Sequence, residues 1–237
     1  GGLFVLEKLA GGIIVSCQAN PGSPLDDPSI LAQLAKAAEA GGAVGIRANL
    51  PRNIRAVKSK VQVPVIGLYK QDYPDSPVYI TPTFREAKEV IEAGADILAI
   101  DATLRKRPNG ETLAELVERI RSCSPIPLMA DIATFAEAKA ASELGFDLIA
   151  TTLVGYTEET RGVQAPDMEL IRRISREIST PLIVEGRVHS PETAALAVEN
   201  GAFAVVVGTA ITDITWVTAR YAERIHAAYA DRYPSEM

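Results

Sequence analysis

Eight short apolar runs in this sequence end in polar residues whose types and spacing could do chemistry. The run ends are Ser16-Cys17-Gln18, Arg47-Ala48-Asn49, Tyr69-Lys70, Asp101, Asp131, Thr151-Thr152, Glu185-Gly186-Arg187 and Gly208-Thr209. Side chains alternate in an extended chain, so Lys70 shares a face with Leu68 and Ile66, and Glu185 shares one with Ile183. Each charge then continues an apolar column, which is costly unless the charge is paired or used. Mutual neutralisation would account for any one of these residues, but their joint occurrence favours a site. The last two runs, Val184-Glu185-Gly186-Arg187 and Val206-Val207-Gly208-Thr209-Ala210-Ile211, suit a different task. Their glycines let the backbone approach a ligand, the amides of a following helix suit a phosphate dianion, and Arg187 adds a charge-assisted contact. Gly186, Arg187, Gly208 and Thr209 are therefore the phosphate candidates.

The elements that must position these residues form a repeat. In four places a helix-compatible stretch ends in glycine and an apolar run follows directly, at Gly41, Gly94, Gly145 and Gly201, which lie 53, 51 and 56 residues apart. Glycine there suits the left-handed residue that ends a helix. Three further runs are entered through a proline, Val63-Pro64-Val65, Ile126-Pro127-Leu128 and Thr180-Pro181-Leu182, where the missing N–H breaks no ladder bond. With the opening run Gly12-Ile13-Ile14-Val15 this predicts eight strands, near 13–18, 43–48, 63–70, 95–101, 126–131, 146–152, 181–187 and 203–208. Four βαβα quarters of roughly 52 residues fit a closed (β/α)8 TIM barrel better than an open doubly wound sheet. No glycine-rich dinucleotide fingerprint follows the first strand. Strand ends are where such barrels carry their chemistry. The expectation is one domain over residues 1–237, with Gly1 and Gly2 set aside as a processing scar.

Composition narrows the function classes. The 237 residues are 47% hydrophobic and 23% charged, which is ordinary for a globular chain. Lys and Arg total 24 against 30 Asp and Glu, a net charge of −6, the wrong sign for a nucleic-acid binder. Two cysteines are too few for a disulfide framework and fit a reducing cytoplasm. No apolar run approaches the roughly 20 residues of a membrane span, so neither membrane nor nucleic acid is an expected partner. Cys17 alternates with Gln18 and should face the helices as a small hydrophobe. His189 and His226 lack metal-ligand spacing and read as incidental, and Arg105-Lys106-Arg107-Pro108 reads as a solvated basic loop. Trp216, Val217, Tyr221, Ile225 and Tyr229 recur at helical spacing and should cover one side of the barrel, with leftover aromatic area that could support a homodimer.

At these residues the chain resembles the N-acylmannosamine-6-phosphate 2-epimerases of sialic acid catabolism. The resemblance is carried by Gly12-Ile13-Ile14-Val15-Ser16-Cys17-Gln18, Gly45-Ile46-Arg47-Ala48-Asn49, Ile66-Gly67-Leu68-Tyr69-Lys70 and Val78-Tyr79-Ile80-Thr81-Pro82-Thr83. It continues through Ala99-Ile100-Asp101-Ala102-Thr103, Ala130-Asp131-Ile132, Thr151-Thr152-Leu153-Val154-Gly155-Tyr156-Thr157, Val184-Glu185-Gly186-Arg187 and Val207-Gly208-Thr209-Ala210-Ile211-Thr212. It implies a phosphate-binding TIM barrel that interconverts N-acetylmannosamine 6-phosphate and N-acetylglucosamine 6-phosphate without metal or nucleotide cofactor. It makes Lys70 the proton-transfer residue and Glu185 its catalytic partner, and sets Gln18, Arg47, Asp131 and Thr152 against the sugar. The glycine ends near 186 and 208 then face the phosphate. One departure stands out. Members commonly read Ala-Ile-Thr-Arg after the last strand, with the arginine reaching the phosphate, whereas here Ala210-Ile211-Thr212 is followed by Asp213, which would repel a dianion.

Such a reaction removes a carbon-bound proton once the sugar ring opens and C1 is an aldehyde, so it needs a base near neutral pH and donors for an enolate oxygen. Lysine must lose its proton to serve. Burial and Arg47 should lower its pKa, while Glu185 should raise it. Two rivals remain at this level. A barrel lysine can form a Schiff base, as class I aldolases do, and the scaffold could bind a sugar phosphate without converting it.

Overall fold

The computed structural model describes residues 2–234. All eight expected strands are present, as β1 (Ile13–Ser16), β2 (Gly45–Asn49), β3 (Val65–Leu68), β4 (Ile97–Asp101), β5 (Leu128–Asp131), β6 (Leu148–Ala150), β7 (Leu182–Glu185) and β8 (Ala204–Val207). Each pairs in parallel with the next, and β8 closes onto β1 through Ile13↔Val205 and Ile14↔Val206. The result is a closed TIM barrel. The strands are shorter than the apolar runs at both ends: every strand but β1 starts one or two residues later, and β1, β3, β6, β7 and β8 also end one or two residues earlier.

The helices are α1 (Gly2–Glu7), α2 (Pro28–Ala40), α3 (Pro51–Lys58), α4 (Phe84–Glu92), α5 (Leu113–Cys123), α6 (Phe135–Glu143), α7 (Met168–Glu177), α8 (Pro191–Glu199), α9 (Thr209–Thr212) and α10 (Ile214–Arg232). Their starts follow local chemistry. Asp27, Asp167 and Ser190 accept first-turn amides, and Thr112 with Glu115 and Thr134 with Glu137 form capping boxes. Gly94, Gly145 and Gly201 take the expected left-handed conformation, but in the first quarter it falls on Gly42 (φ +107°) while Gly41 stays helical (φ −80°). A Gly-Gly pair leaves that one-residue choice to the loop.

Strand parity divides the core in two. Ile14, Ile66, Leu68, Ile97, Met129, Leu148, Ile183 and Val206 fill the barrel interior. Their neighbours Ile46, Val65, Leu98, Leu128, Ile149 and Val184 pack outward against helix residues such as Ile54, Val90, Ile120 and Ile174. Leu6 and Leu9 belong to the interior cluster and plug its lower end. A Cβ on Gly45 would come within 2.9 Å of Leu9 Cδ2, so a side chain there would push against the plug. Cys17 lies in the outer cluster as expected, and burial pushes its thiol up to about 12, which keeps it an inert thiol.

Two expectations meet the residues differently. Of the glycines set aside at the start, Gly1 lies outside the described residues and Gly2 opens α1. The C-terminal stripe does not cover the barrel: α10 has no buried residue, and Tyr221 and Ile225 are 69% and 67% exposed. Helical spacing shows that a stripe exists, not what it faces. The chain breaks at Asp213 between α9 and α10, and the stripe ends facing outward, as do Leu196 and Val198 on α8. No helix among the described residues is long and apolar enough to cross a membrane.

Candidate active site

The interior parity carries directly into the mouth. Because Ile14, Leu68, Met129, Ala150 and Ile183 point inward, the residues two further on, Ser16, Lys70, Asp131, Thr152 and Glu185, continue those columns at the C-terminal end. Arg47 is 1% exposed and crosses the barrel from β2 to β5. Its two terminal nitrogens donate to the carboxylate of Asp131 at 3.0 and 2.6 Å, a bidentate pair. The guanidinium lies 4.0 Å from the Met129 sulfur and so forms the floor of the mouth over the apolar interior. Thr152 donates to the same Asp131 at 2.6 Å.

Glu185 enters from β7. Its Oε1 lies 3.4 Å from Arg47 Nε, close enough for charge attraction but without hydrogen-bond alignment. Burial raises the Glu185 pKa and Asp131 adds to this, while Arg47 opposes it most strongly. Four buried side-chain polar atoms lack a hydrogen-bond partner among the described residues, and three of them are Gln18 Oε1, Arg47 Nε and Glu185 Oε1. Buried polar groups are normally satisfied, so three such atoms on strand-end residues, two of them only 3.4 Å apart, mark a ligand-facing surface. Gln18 is otherwise held by donating Nε2–H to Ser16 at 3.0 Å.

Lys70 stands opposite. Its amide donates to Asn49 Oδ1 at 2.9 Å, and an antiparallel bridge joins it to Ile80, so the loop after β3 folds back as a short hairpin anchored at the lysine. The ammonium makes no ion pair or hydrogen bond among the described residues. Burial lowers its pKa from 10.5 and Arg47 lowers it further, against opposition from Glu185 and Asp131. The residue as a whole is exposed at the mouth, while its ammonium end is desolvated there beside Arg47. That combination makes a lysine that can lose its proton closer to neutrality.

Four further residues contribute, of which Asn49 and Asp101 stand among the run ends with no task assigned. Asn49 fixes the backbone of Lys70, and Tyr79, half-buried on the same hairpin, presents a phenol raised by burial and by Asp131 and Asp101. Asp101 pairs in register with Asp131 on β5, and the two like charges are separated by giving each its own arginine, Arg105 for Asp101 at 2.7 Å. The fourth, Arg107, corrects the reading of residues 105–108 as a solvated loop. It is 3% exposed and donates to the carbonyls of Pro82, Asp101 and Thr81 at 3.2, 2.5 and 3.1 Å. A basic run is ordinarily solvated, and no local signal says that three carbonyls from two loops will converge on it.

At the other end of the mouth, Gly186 and Arg187 are consecutive left-handed residues (φ +107° and +55°). The second is strained for a residue with a side chain. Gly208 sits tightly against β1, where a Cβ would come 3.2 Å from that of Ser16. Asp213 turns to its own helix and accepts the Trp216 amide at 3.0 Å as the N-cap of α10. His226 lies on the exposed α10, far along the chain from the mouth. Among the described residues no cluster of His, Cys, Asp or Glu could hold a metal ion.

Residues 31–227 match the family described as "Putative N-acetylmannosamine-6-phosphate epimerase". A protein of Caldanaerobacter subterraneus subsp. tengcongensis described in the same words as a 2-epimerase is 53% identical over 218 residues, 92% of each chain. One of Listeria monocytogenes, so described, is 44% identical over 234 residues, 98% of this chain and 99% of its own. The solved structure of the N-acetylmannosamine-6-phosphate 2-epimerase from Clostridium perfringens superposes with a TM-score of 0.89 at 40% identity, covering 92% of this chain and 95% of that one.

Proposed function

The chain belongs to the N-acetylmannosamine-6-phosphate epimerase family, and from that premise we propose that it interconverts N-acetylmannosamine 6-phosphate and N-acetylglucosamine 6-phosphate in amino sugar catabolism. The observation that carries the reading is Lys70, an unpaired ammonium of lowered pKa facing Glu185 across the mouth. With the ring open, neutral Lys70 takes the C2 proton and the charge passes to the C1 oxygen as an enolate. Arg47 keeps one N–H unbonded and supplies a donor to that oxygen in a site of low dielectric. Returning the proton to the opposite face inverts C2. Glu185, its pKa raised by burial, orients and polarises the intermediate from the far wall. Gln18, Asp131 and Thr152 contact the sugar. Gly186, Arg187, Gly208 and Thr209 receive the phosphate, Thr209 through a first-turn amide that has no helical carbonyl partner.

The test is an NMR assay that follows N-acetylmannosamine 6-phosphate beside the unphosphorylated sugar. Only the phosphorylated sugar should convert efficiently. Lys70→Ala should reduce turnover at least about a thousandfold with unchanged melting, and near-normal activity in that variant overturns the assignment. The same reading places the protein in the cytoplasm, supported by two cysteines that are both free. It also makes the outward stripe of α10, with Tyr221 and Ile225, a self-association surface. Sedimentation should show a dimer, and a monomer at high concentration would refute that part.

A further inference from the structure

Asp213, at the position where the family resemblance leads one to expect an arginine, is used instead as a helix cap. By accepting the Trp216 amide it starts α10, and α10 presents Arg220 one turn after Trp216. The Arg220 guanidinium lies 4.5 Å over the Trp216 ring. The ring of His189 lies 4.6 Å from the same indole, tilted by 46°. His189 follows Arg187 by two residues in the turn after β7, and the Arg187 guanidinium lies 4.9 Å over Tyr156. Neither arginine has a carboxylate partner among the described residues. Burial lowers the pKa of His189 from 6.5, and the charged groups that add to this are Arg220 and Arg187, both cations.

Two guanidinium groups and an imidazole gathered without a carboxylate repel one another, and an arriving anion removes that cost. The aromatic rings hold the guanidinium planes in place, which reduces what is lost in side-chain freedom on binding. The neutral imidazole can add an N–H donor. The cluster follows directly on Gly186, at the end of the mouth read above as the phosphate end. We propose that Arg220, set by Trp216 beside His189 and Arg187, supplies the phosphate-recognising charge that Asp213 does not, so that α10 completes the sugar-phosphate site. This rests on the proposed function for the identity of the substrate but not for the class of ligand, a phosphate monoester.

The experiment measures steady-state kinetics of the full chain with N-acetylmannosamine 6-phosphate and competitive inhibition by inorganic phosphate, for wild type, Arg220→Gln and Arg220→Lys. In Arg220→Gln, KM and the phosphate inhibition constant should both rise about tenfold with kcat within about twofold, and Arg220→Lys should restore part of the loss. Unchanged phosphate inhibition overturns the proposal, whatever happens to kcat, because a helix that merely packs would alter turnover without weakening the anion. If the wild type fails to convert the sugar, the functional reading falls separately. Calorimetric titration of wild type and Arg220→Gln with inorganic phosphate then decides the site: weaker binding in the variant supports it, and equal binding overturns it.

Discussion

Two buried arginines, Arg47 and Arg107, do opposite things. Arg47 pays out its charge to ionised partners, Asp131 at 2.6 Å and Glu185 at 3.4 Å, and these hold it firmly protonated despite its burial. Arg107 meets only three neutral carbonyls, and burial lowers its pKa. A carboxylate balances a charge, and the resulting field still reaches Lys70. Carbonyls satisfy the donors and tie together the loops after β3 and β4. One arginine tunes a site and the other fastens the loops that frame it.

Replacing each in turn tests that difference. Arg47→Met leaves Asp131 buried without its charge partner, which should cost about 3–5 kcal/mol in denaturant unfolding. In the folded fraction, turnover should fall by roughly a thousandfold. The pH at which activity rises should also move upward, because a cation that lowers the Lys70 pKa has been removed. Arg107→Met should cost about 3 kcal/mol for three carbonyls left unsatisfied, yet keep the pH profile of the wild type. A shifted profile in that variant breaks the comparison. Glu185→Gln should have the smallest effect on stability and the opposite sign. Burial raises the folded-state pKa of Glu185, so its ionisation opposes folding, and stability falls as pH rises from 4.5 through the raised value. The glutamine does not ionise, so the variant should match wild type near pH 4 and melt about 2–4 °C higher at pH 8, the change that ~1 kcal/mol makes in a chain of this size. It should be slower all the same, and a lower melting temperature at pH 8 would show that Glu185 is held by attraction to Arg47 more than it is strained by burial.

Much of the fold was legible because it repeats. A period near 52 residues, prolines at strand entries and glycines at helix ends each have local physical causes, so eight strands and their order could be read without any tertiary information. Parity placed Lys70 and Glu185 on inward columns and Cys17 on the outer face, since alternation in a strand is a property of the backbone. The misses have a common origin. Gly42 in place of Gly41, the burial of Arg107, and the exposed face of α10 each depend on what lies across from the residue, and a periodicity carries no record of its partner.

The sequence by itself determined the barrel, the identity of the residues at its mouth, and their direction, because these follow from backbone geometry and local caps. Only the tertiary structure decided the pairing: that Arg47 spans to Asp131, 84 residues away, that Asn49 holds Lys70 while no described residue pairs with its ammonium, and that Asp213 turns to cap α10. Charge partners are chosen by distance in space, and distance in space exists only once the ring has closed.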